Sequence, residues 1–408
     1  MAKIKVCDAI MGHGKTTAAI NFMNANPERK FVYITPYLEE IKRIKSSCPA
    51  LHFLEPRYTP TGNKSENFVA LLESGHNVAS THALFKRCSP EIASLIENHG
   101  YTLILDEVCD VVEAVDVPVS DFNLFRDAGV ISNGDDGHLM WNKDDYGKDG
   151  LYTALKKAIN DGKVLLTEDN QLTWMFDQSI FNAFQEVIIL TYMFDAQLQK
   201  YYFDYNGIPY ELIGVQNGVN GYEFGEYNDA CHKSKYNLKE IIHILEDNRL
   251  NEQGKEPNFL SAGWCSRQEK DNKKRLNRIR LDAENVVRNR WKAKAEQVLW
   301  STHKNMQDEL KGKGYASSFL AFNCRATNEH RKRTHLMYLI NVYPTVDITT
   351  FFYKYGISID RDQYATSVMV QWIWRSAVRD GKDIWVYIPS SRMRNLLKQW
   401  IDKVSAHS

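Results

Sequence analysis

Short apolar runs rich in β-branched residues alternate along the chain with stretches whose apolar residues recur every three or four positions. In the first half the runs read as strands over Ile4–Ile10, Phe31–Thr35, Leu51–Leu54, Val78–Ser80, Thr102–Leu105 and Val187–Leu190, with helical patterns such as Lys15–Asn24 and Pro90–Asn98 between most of them. In the second half strands are expected at Asn258–Ala262, Gln297–Ser301, Phe319–Phe322, Met337–Asn341 and Ile384–Ile388. Such alternation predicts an α/β fold with mostly parallel sheets covered by helices on both faces. Residues 111–180 break the pattern. They are acidic, partly glycine-rich, and lie between two runs that should be neighbours in one sheet, so they read as an insertion, part hairpin and part helix (Leu151–Asn160). Residues 206–230 carry five glycines and one proline and are expected to link two domains, 1–205 and 231–408.

Length and composition fit that division. A chain of 408 residues has room for two domains, and 43% hydrophobic with 12% aromatic residues excludes a disordered chain. No apolar run approaches the roughly 18–20 residues of a membrane span, and no apolar leader precedes Gly12, so a cytoplasmic protein is expected, in the bacterial host if the gene is phage-borne. The seven cysteines are scattered with no C-x-x-C pair, which argues against a disulfide framework or a zinc site. Lys plus Arg and Asp plus Glu each total 51, yet residues 1–205 hold 19 and 28 of them, leaving 32 and 23 for residues 206–408. The second half is therefore the candidate surface for a phosphate backbone.

The segment DAIMGHGKTTAAI follows a strand and opens a helix. Gly12 and Gly14 allow backbone N–H groups to turn toward an anion, Lys15 can reach β- and γ-phosphates, and the Thr16 hydroxyl can ligate Mg²⁺. The phosphate-loop residues are thus Gly12, His13, Gly14, Lys15, Thr16 and Thr17, with Ala9 where the general pattern has glycine. TLILDEV ends a strand with Asp106, suited to hold Mg²⁺, and Glu107, suited to orient or deprotonate a water. QWIWRSAVRDGK spaces Gln371, Arg375 and Arg379 four residues apart, so a continuous helix would carry them along one face toward a γ-phosphate. Lys273–Lys294 holds nine Lys or Arg against two acids and reads as one or two basic helices able to bind phosphates without regard to sequence.

The ordered set AIMGHGKT, YITPY, ASTHALF, LILDEV, ILTYMF, FLSAGW, FLAFNCRATN and QWIWRSAVR resembles superfamily 2 helicases. It is most similar to the compact phage and herpes-type origin-binding or replication helicases, whose second motif reads D-E-V rather than D-E-A-D or D-E-A-H. The resemblance covers nearly the whole chain and implies two tandem RecA-like P-loop domains, with ATP and Mg²⁺ as cofactors. It implies that Thr191 couples hydrolysis to strand movement and that Gln371, Arg375 and Arg379 form the sixth motif, with either arginine as the finger. It also implies nucleic-acid contacts from Tyr37, Thr81 and His82, from Arg325, Thr327 and Asn328, and from the basic run at Lys273, Lys274, Arg275 and Arg278. Two departures stand out: one extra residue precedes Arg379, and the glutamine motif upstream of Ala9 that reads adenine in D-E-A-D proteins does not fit. The function implied is an ATP-dependent helicase or translocase on single-stranded or forked DNA, or on RNA, working with replication proteins. The alternative is a P-loop ATPase switch or loader that binds DNA or a replisome partner without unwinding. A P-loop kinase would leave the second domain unexplained.

Overall fold

The structure is a computed structural model describing residues 2–405 apart from 61, 135–136, 147–149, 167–170, 220, 271–272 and 325–328. Two units are present. The first comprises Met1–Ala9, Gly14–Tyr227 and Thr345–Ile359; the second comprises Ile10–His13, Asn228–Pro344 and Asp360–Ser408.

The first unit is built on a seven-stranded sheet. Strands β1 (Lys3–Asp8), β2 (Lys30–Thr35), β3 (Val78–Thr81) and β4 (Tyr101–Asp106) come first, and the insertion then contributes β5 (Val112–Ala114), β6 (Ile131–Asn133), β7 (Leu139–Trp141), β8 (Val164–Leu166) and β9 (Leu172–Met175). Strands β10 (Glu186–Thr191), β11 (Glu211–Gly218) and β12 (Gly221–Glu226) complete the unit. The main sheet runs β12-β11-β1-β10-β4-β2-β3 and is parallel except for the β11–β12 hairpin. Strand β10 thus separates the strand that leads into the phosphate loop from the strand that ends in the acids, the arrangement of RecA-like domains. Five of the expected first-half strands are present, and their central residues, among them Val6, Val32, Ile104 and Ile189, are fully buried. That is why they read as unbroken apolar runs: both sheet faces are covered.

Two expectations are corrected here. Leu51–Leu54 is not a strand: Pro49–Leu51 is a 3₁₀ turn, His52 adopts a left-handed φ of 47°, and only Leu54 bridges Val78. Residues 206–230 are not a free linker, because β11 pairs with β1 through Lys5–Cys7 and β12 folds back on it, so the first unit runs on to Tyr227. The glycines mark a hairpin rather than a hinge. The insertion is present as a three-stranded sheet, β5-β9-β8, and a hairpin, β6-β7. Its cover includes the helix Val346–Lys354, from far along the chain, whose Asp347 accepts from Gln171 Nε2 at 3.3 Å.

The second unit holds a four-stranded parallel sheet of order β13-β16-β15-β14, with β13 at Ile242–Ile244, β14 at Val298–Ser301, β15 at His335–Tyr338 and β16 at Ile384–Tyr387. Asn258–Ala262 is not a strand. Leu260 has φ 63°, which an extended chain cannot hold, and the helix Ala262–Lys270 begins there. Phe319–Phe322 reduces to one bridge, Phe319 to Trp300. Among the described residues no helix is long and apolar enough to cross a membrane, and no group of histidine, cysteine and acidic side chains could hold a metal by itself.

Candidate nucleotide site and basic surface

Strand β1 passes into the helix Lys15–Asn24 through a loop that turns on two left-handed glycines, Gly12 at φ 78° and Gly14 at φ 84°. Gly14 caps the helix without a side-chain acceptor, and no acid lies in the first turn. The helix therefore presents unsatisfied N–H groups and a partial positive charge, which favours an anion. Ala9 N donates to Thr191 O at 3.1 Å, anchoring the start of the loop, and Lys15 Nζ donates to the Ala9 carbonyl.

Sheet register brings the other candidates alongside. Asp8 pairs with Thr191 across β1 and β10, and Leu190 pairs with Asp106 across β10 and β4, so the three strands end together. Asp106 is half-buried and accepts from Tyr33 Oη at 2.9 Å, while its backbone carbonyl lies 2.9 Å from His82 Nε2. Burial, then the charges of Glu107 and Glu40, push the Asp106 carboxyl up to about 7; the Tyr33 hydrogen bond and Lys15 oppose this. Glu107 takes a left-handed φ of 68° and donates its N–H to Leu190 O at 2.9 Å. A non-glycine residue in that region stores on the order of 1 kcal/mol, held by the strands on either side. The hydroxyls of Thr35 and Thr191 are buried without a hydrogen-bond partner among the described residues.

Sequence reading missed Asp8. Its carboxylate is 4% exposed and accepts from Met193 N at 2.8 Å and Phe194 N at 3.0 Å. It thereby fixes the turn after Thr191, where Met193 has φ 55°. A lone acid closing a strand in K-I-K-V-C-D carried no motif signal. Only the pairing with β10 reveals its role.

In the second unit the expected arginine helix is interrupted. The helix Arg361–Ile373 holds Gln371 but stops at Trp374, and Arg379 lies in a separate 3₁₀ turn, Ala377–Asp380. The Ser376 hydroxyl donates to Ile373 O at 2.7 Å and Ala377 N turns to Arg333 O at 2.9 Å, so the helical ladder cannot continue. Gln371, Arg375 and Arg379 therefore do not share one helix face. Arg375 is 8% exposed and its Nε has no partner among the described residues, whereas Arg379 sits half-buried beside Asp380.

The nucleic-acid candidates divide. Tyr37 precedes the helix Leu38–Ser47 and Thr81 ends β3, both at strand-to-helix turns. His82 is buried against the Asp106 carbonyl, so its ring supports the acid strand. The basic run forms the helix Lys274–Asn285 and a π-turn, Val286–Arg290. Much of its charge is internally matched: Lys273 to Glu309 at 2.6 Å, Arg275 to Glu256 at 3.1 Å, Arg278 to Asp282 at 3.0 Å, Arg280 to Glu284 at 2.8 Å, and Arg290 to Asp247. Lys274, Arg288, Lys292 and Lys294 are exposed and make no ion pair among the described residues. Arg325, Thr327 and Asn328 lie outside the described residues.

Comparison with known proteins follows the same division. The profile of the YonV C-terminal Rossmann-like domain matches residues 236–401, and that of the YonV middle domain matches residues 112–174, within the insertion. The SPbeta prophage-derived protein YonV of Bacillus subtilis (strain 168) is 38% identical over 414 residues, spanning 98% of this chain and 99% of its own length. Among solved structures, S. tokodaii Xpd4 aligns with a TM-score of 0.49 at 11% identity, over 100% of this chain and 96% of its own. An XPD helicase aligns at 0.42 and 8%, over 99% and 96%, and the DUF1998 helicase MrfA bound to DNA at 0.33 and 9%, over 98% and 49%. At those scores the alignments are loose, and the fold rests on the strand order itself.

Proposed function

We propose that this chain, which belongs to the YonV family, works as an ATP-dependent nucleic-acid motor of the helicase or translocase type. The observation that carries the reading is the register of β1, β10 and β4, which brings the phosphate loop, Thr191 and the Asp106–Glu107 pair to adjacent strand ends. The residues present fit ATP with Mg²⁺: a glycine-turned helix start for the phosphates, a lysine, and the hard oxygen donors Thr16 and Asp106 for the cation. Held by Thr16 and Asp106, the ion would supply neutralisation of phosphate charge.

The chain's own groups do the rest. The backbone of Gly12, His13 and Gly14 and the ammonium of Lys15 hold the phosphates, and Thr17 extends the helix start. Glu107 orients the attacking water and accepts its proton. Arg375 is the stronger finger candidate, since its unpartnered buried nitrogen is held ready for an anion, with Gln371 and Arg379 in support. Thr191 and the turn fixed by Asp8 couple the site to strand movement. Tyr37, Thr81 and the unpaired cations of the basic run contact the nucleic-acid backbone.

Hydrolysis measured with and without single-stranded DNA or RNA, followed by strand displacement on 3′- and 5′-tailed duplexes, tests this reading. Stimulated hydrolysis with displacement is expected. Hydrolysis indifferent to nucleic acid, with no displacement, would instead establish a P-loop switch or loader. The internal pairing of the basic run is the observation that favours that alternative.

A further inference from the structure

The β11–β12 hairpin lies beside the phosphate loop. Strand β12 packs along the helix Lys15–Asn24, and Asn21 Nδ2 donates to the Tyr222 carbonyl at 2.8 Å. A Cβ built on Gly14 would fall 2.4 Å from Tyr222 Cγ, 2.5 Å from Cδ2 and 2.6 Å from Cδ1. Near-equal distances to these three atoms place Gly14 under the face of the ring, not at its edge. The residue that opens the phosphate-binding helix thus has an aromatic face laid on it. Glycine is required there twice, by its φ of 84° and by this contact.

The ring is half-buried, its hydroxyl makes no hydrogen bond, and no cation or second ring stacks on it among the described residues. Its position is fixed from two directions. Strand β12 is paired along its length with β11, which is itself tied into the sheet at β1, and Phe224 meets Phe22 of the helix edge-on at 5.8 Å. The rigid ring has one face on Gly14 and no ring or cation stacked on the other among the described residues, and such a face next to a triphosphate-binding loop matches one part of a nucleoside triphosphate that the loop cannot hold. That part is the planar base, tethered through the ribose to the phosphates.

We infer that Tyr222 is the stacking platform for the nucleobase of the nucleotide whose phosphates lie on Gly12–Thr16. The inference rests on the nucleotide reading given above and adds its base subsite. Stacking accepts any π-face, so a site built this way discriminates weakly among bases. ATP and GTP should bind within a few-fold of each other.

The test uses the full chain and two probes, Mg–ATP and inorganic triphosphate, which carries the phosphates without a base. Affinities are measured by calorimetry for wild type, Tyr222→Leu and Tyr222→Phe. The expected result is that Tyr222→Leu weakens ATP on the order of 10-fold and leaves triphosphate within about twofold, while Tyr222→Phe keeps both. Equal weakening of ATP and triphosphate in Tyr222→Leu would show that the ring only props the loop, and overturns the inference. Unchanged ATP affinity overturns it too. A wild-type chain that binds neither probe refutes the nucleotide reading itself, an outcome that the variants cannot mimic.

Discussion

The acid pair of the first unit and the basic run of the second treat charge in opposite ways. Asp106 is half-buried beside a second carboxylate, its hydrogen bond comes from a neutral tyrosine, and its carboxyl is pushed up to about 7. The basic run has far more charge in the sequence, yet five of its nine cations face acids of their own unit within ion-pair distance. Desolvation and an unmatched neighbour leave the acid site with a large unspent preference for a cation. Exposed ion pairs leave the basic run with a field weaker than its composition suggests. Charge that is few in number and unpaired is the better guide to chemistry here.

The comparison can be broken most decisively at the acid site. Lys15→Ala and Glu107→Gln should each lower ATP turnover by about 10³-fold or more, in line with losses at phosphoryl-transfer sites. Nucleotide titration should separate the two: Lys15→Ala loses binding, and Glu107→Gln keeps it. Hydrolysis near wild type in either variant would remove the acid strand from the reaction. Next in size, Arg375→Ala should reduce kcat by about 10²–10³-fold at nearly constant nucleotide affinity, and Arg379→Ala by less than about tenfold. Equal effects would show that burial and the unpartnered nitrogen do not distinguish the two arginines.

Acidity sharpens the contrast further. Because the Asp106 pKa is raised, its proton competes with a divalent cation below about 7. Mg–nucleotide affinity should rise with pH through that value, by up to about tenfold per unit, and then level off. Asp106→Asn should flatten the profile. The same shift has the opposite sign for the nucleotide-free chain: ionising a carboxyl whose folded pKa lies above its unfolded value costs stability, so that contribution declines as pH rises through about 7.

The smallest effect belongs to the basic run. Replacing Lys274, Arg288, Lys292 or Lys294 by alanine should each reduce the salt dependence of nucleic-acid binding by about one unit of slope. Replacing Lys273, Arg275 or Arg278, already paired, should change it less. Equal slopes for the two groups, measured by anisotropy over a salt series, would erase the distinction drawn between matched and unmatched cations.

The strand runs of the first unit were legible because residues such as Val32, Leu103 and Ile189 are buried on both sheet faces, which leaves an apolar signature no polar alternation interrupts. The phosphate loop and the L-D-E strand end were legible because their glycines and acids serve local geometry: positive φ at Gly12 and Gly14, and termination at Asp106. The insertion showed itself as acidic sequence between two apolar strands. Pairings between distant segments left no such trace. Only the tertiary structure turned the glycine-rich stretch 206–230 into a hairpin on β1, since strand pairing depends on which edge is open, not on turn composition. It stopped the arginine helix at Ile373 through the Ser376 hydroxyl and Arg333. It laid the helix Val346–Lys354 on the insertion. It also gave Asp8 and Tyr222 their places beside the phosphate loop, because hydrogen bonds and ring contacts across some two hundred residues arise from the path of the backbone and leave no periodicity in the chain.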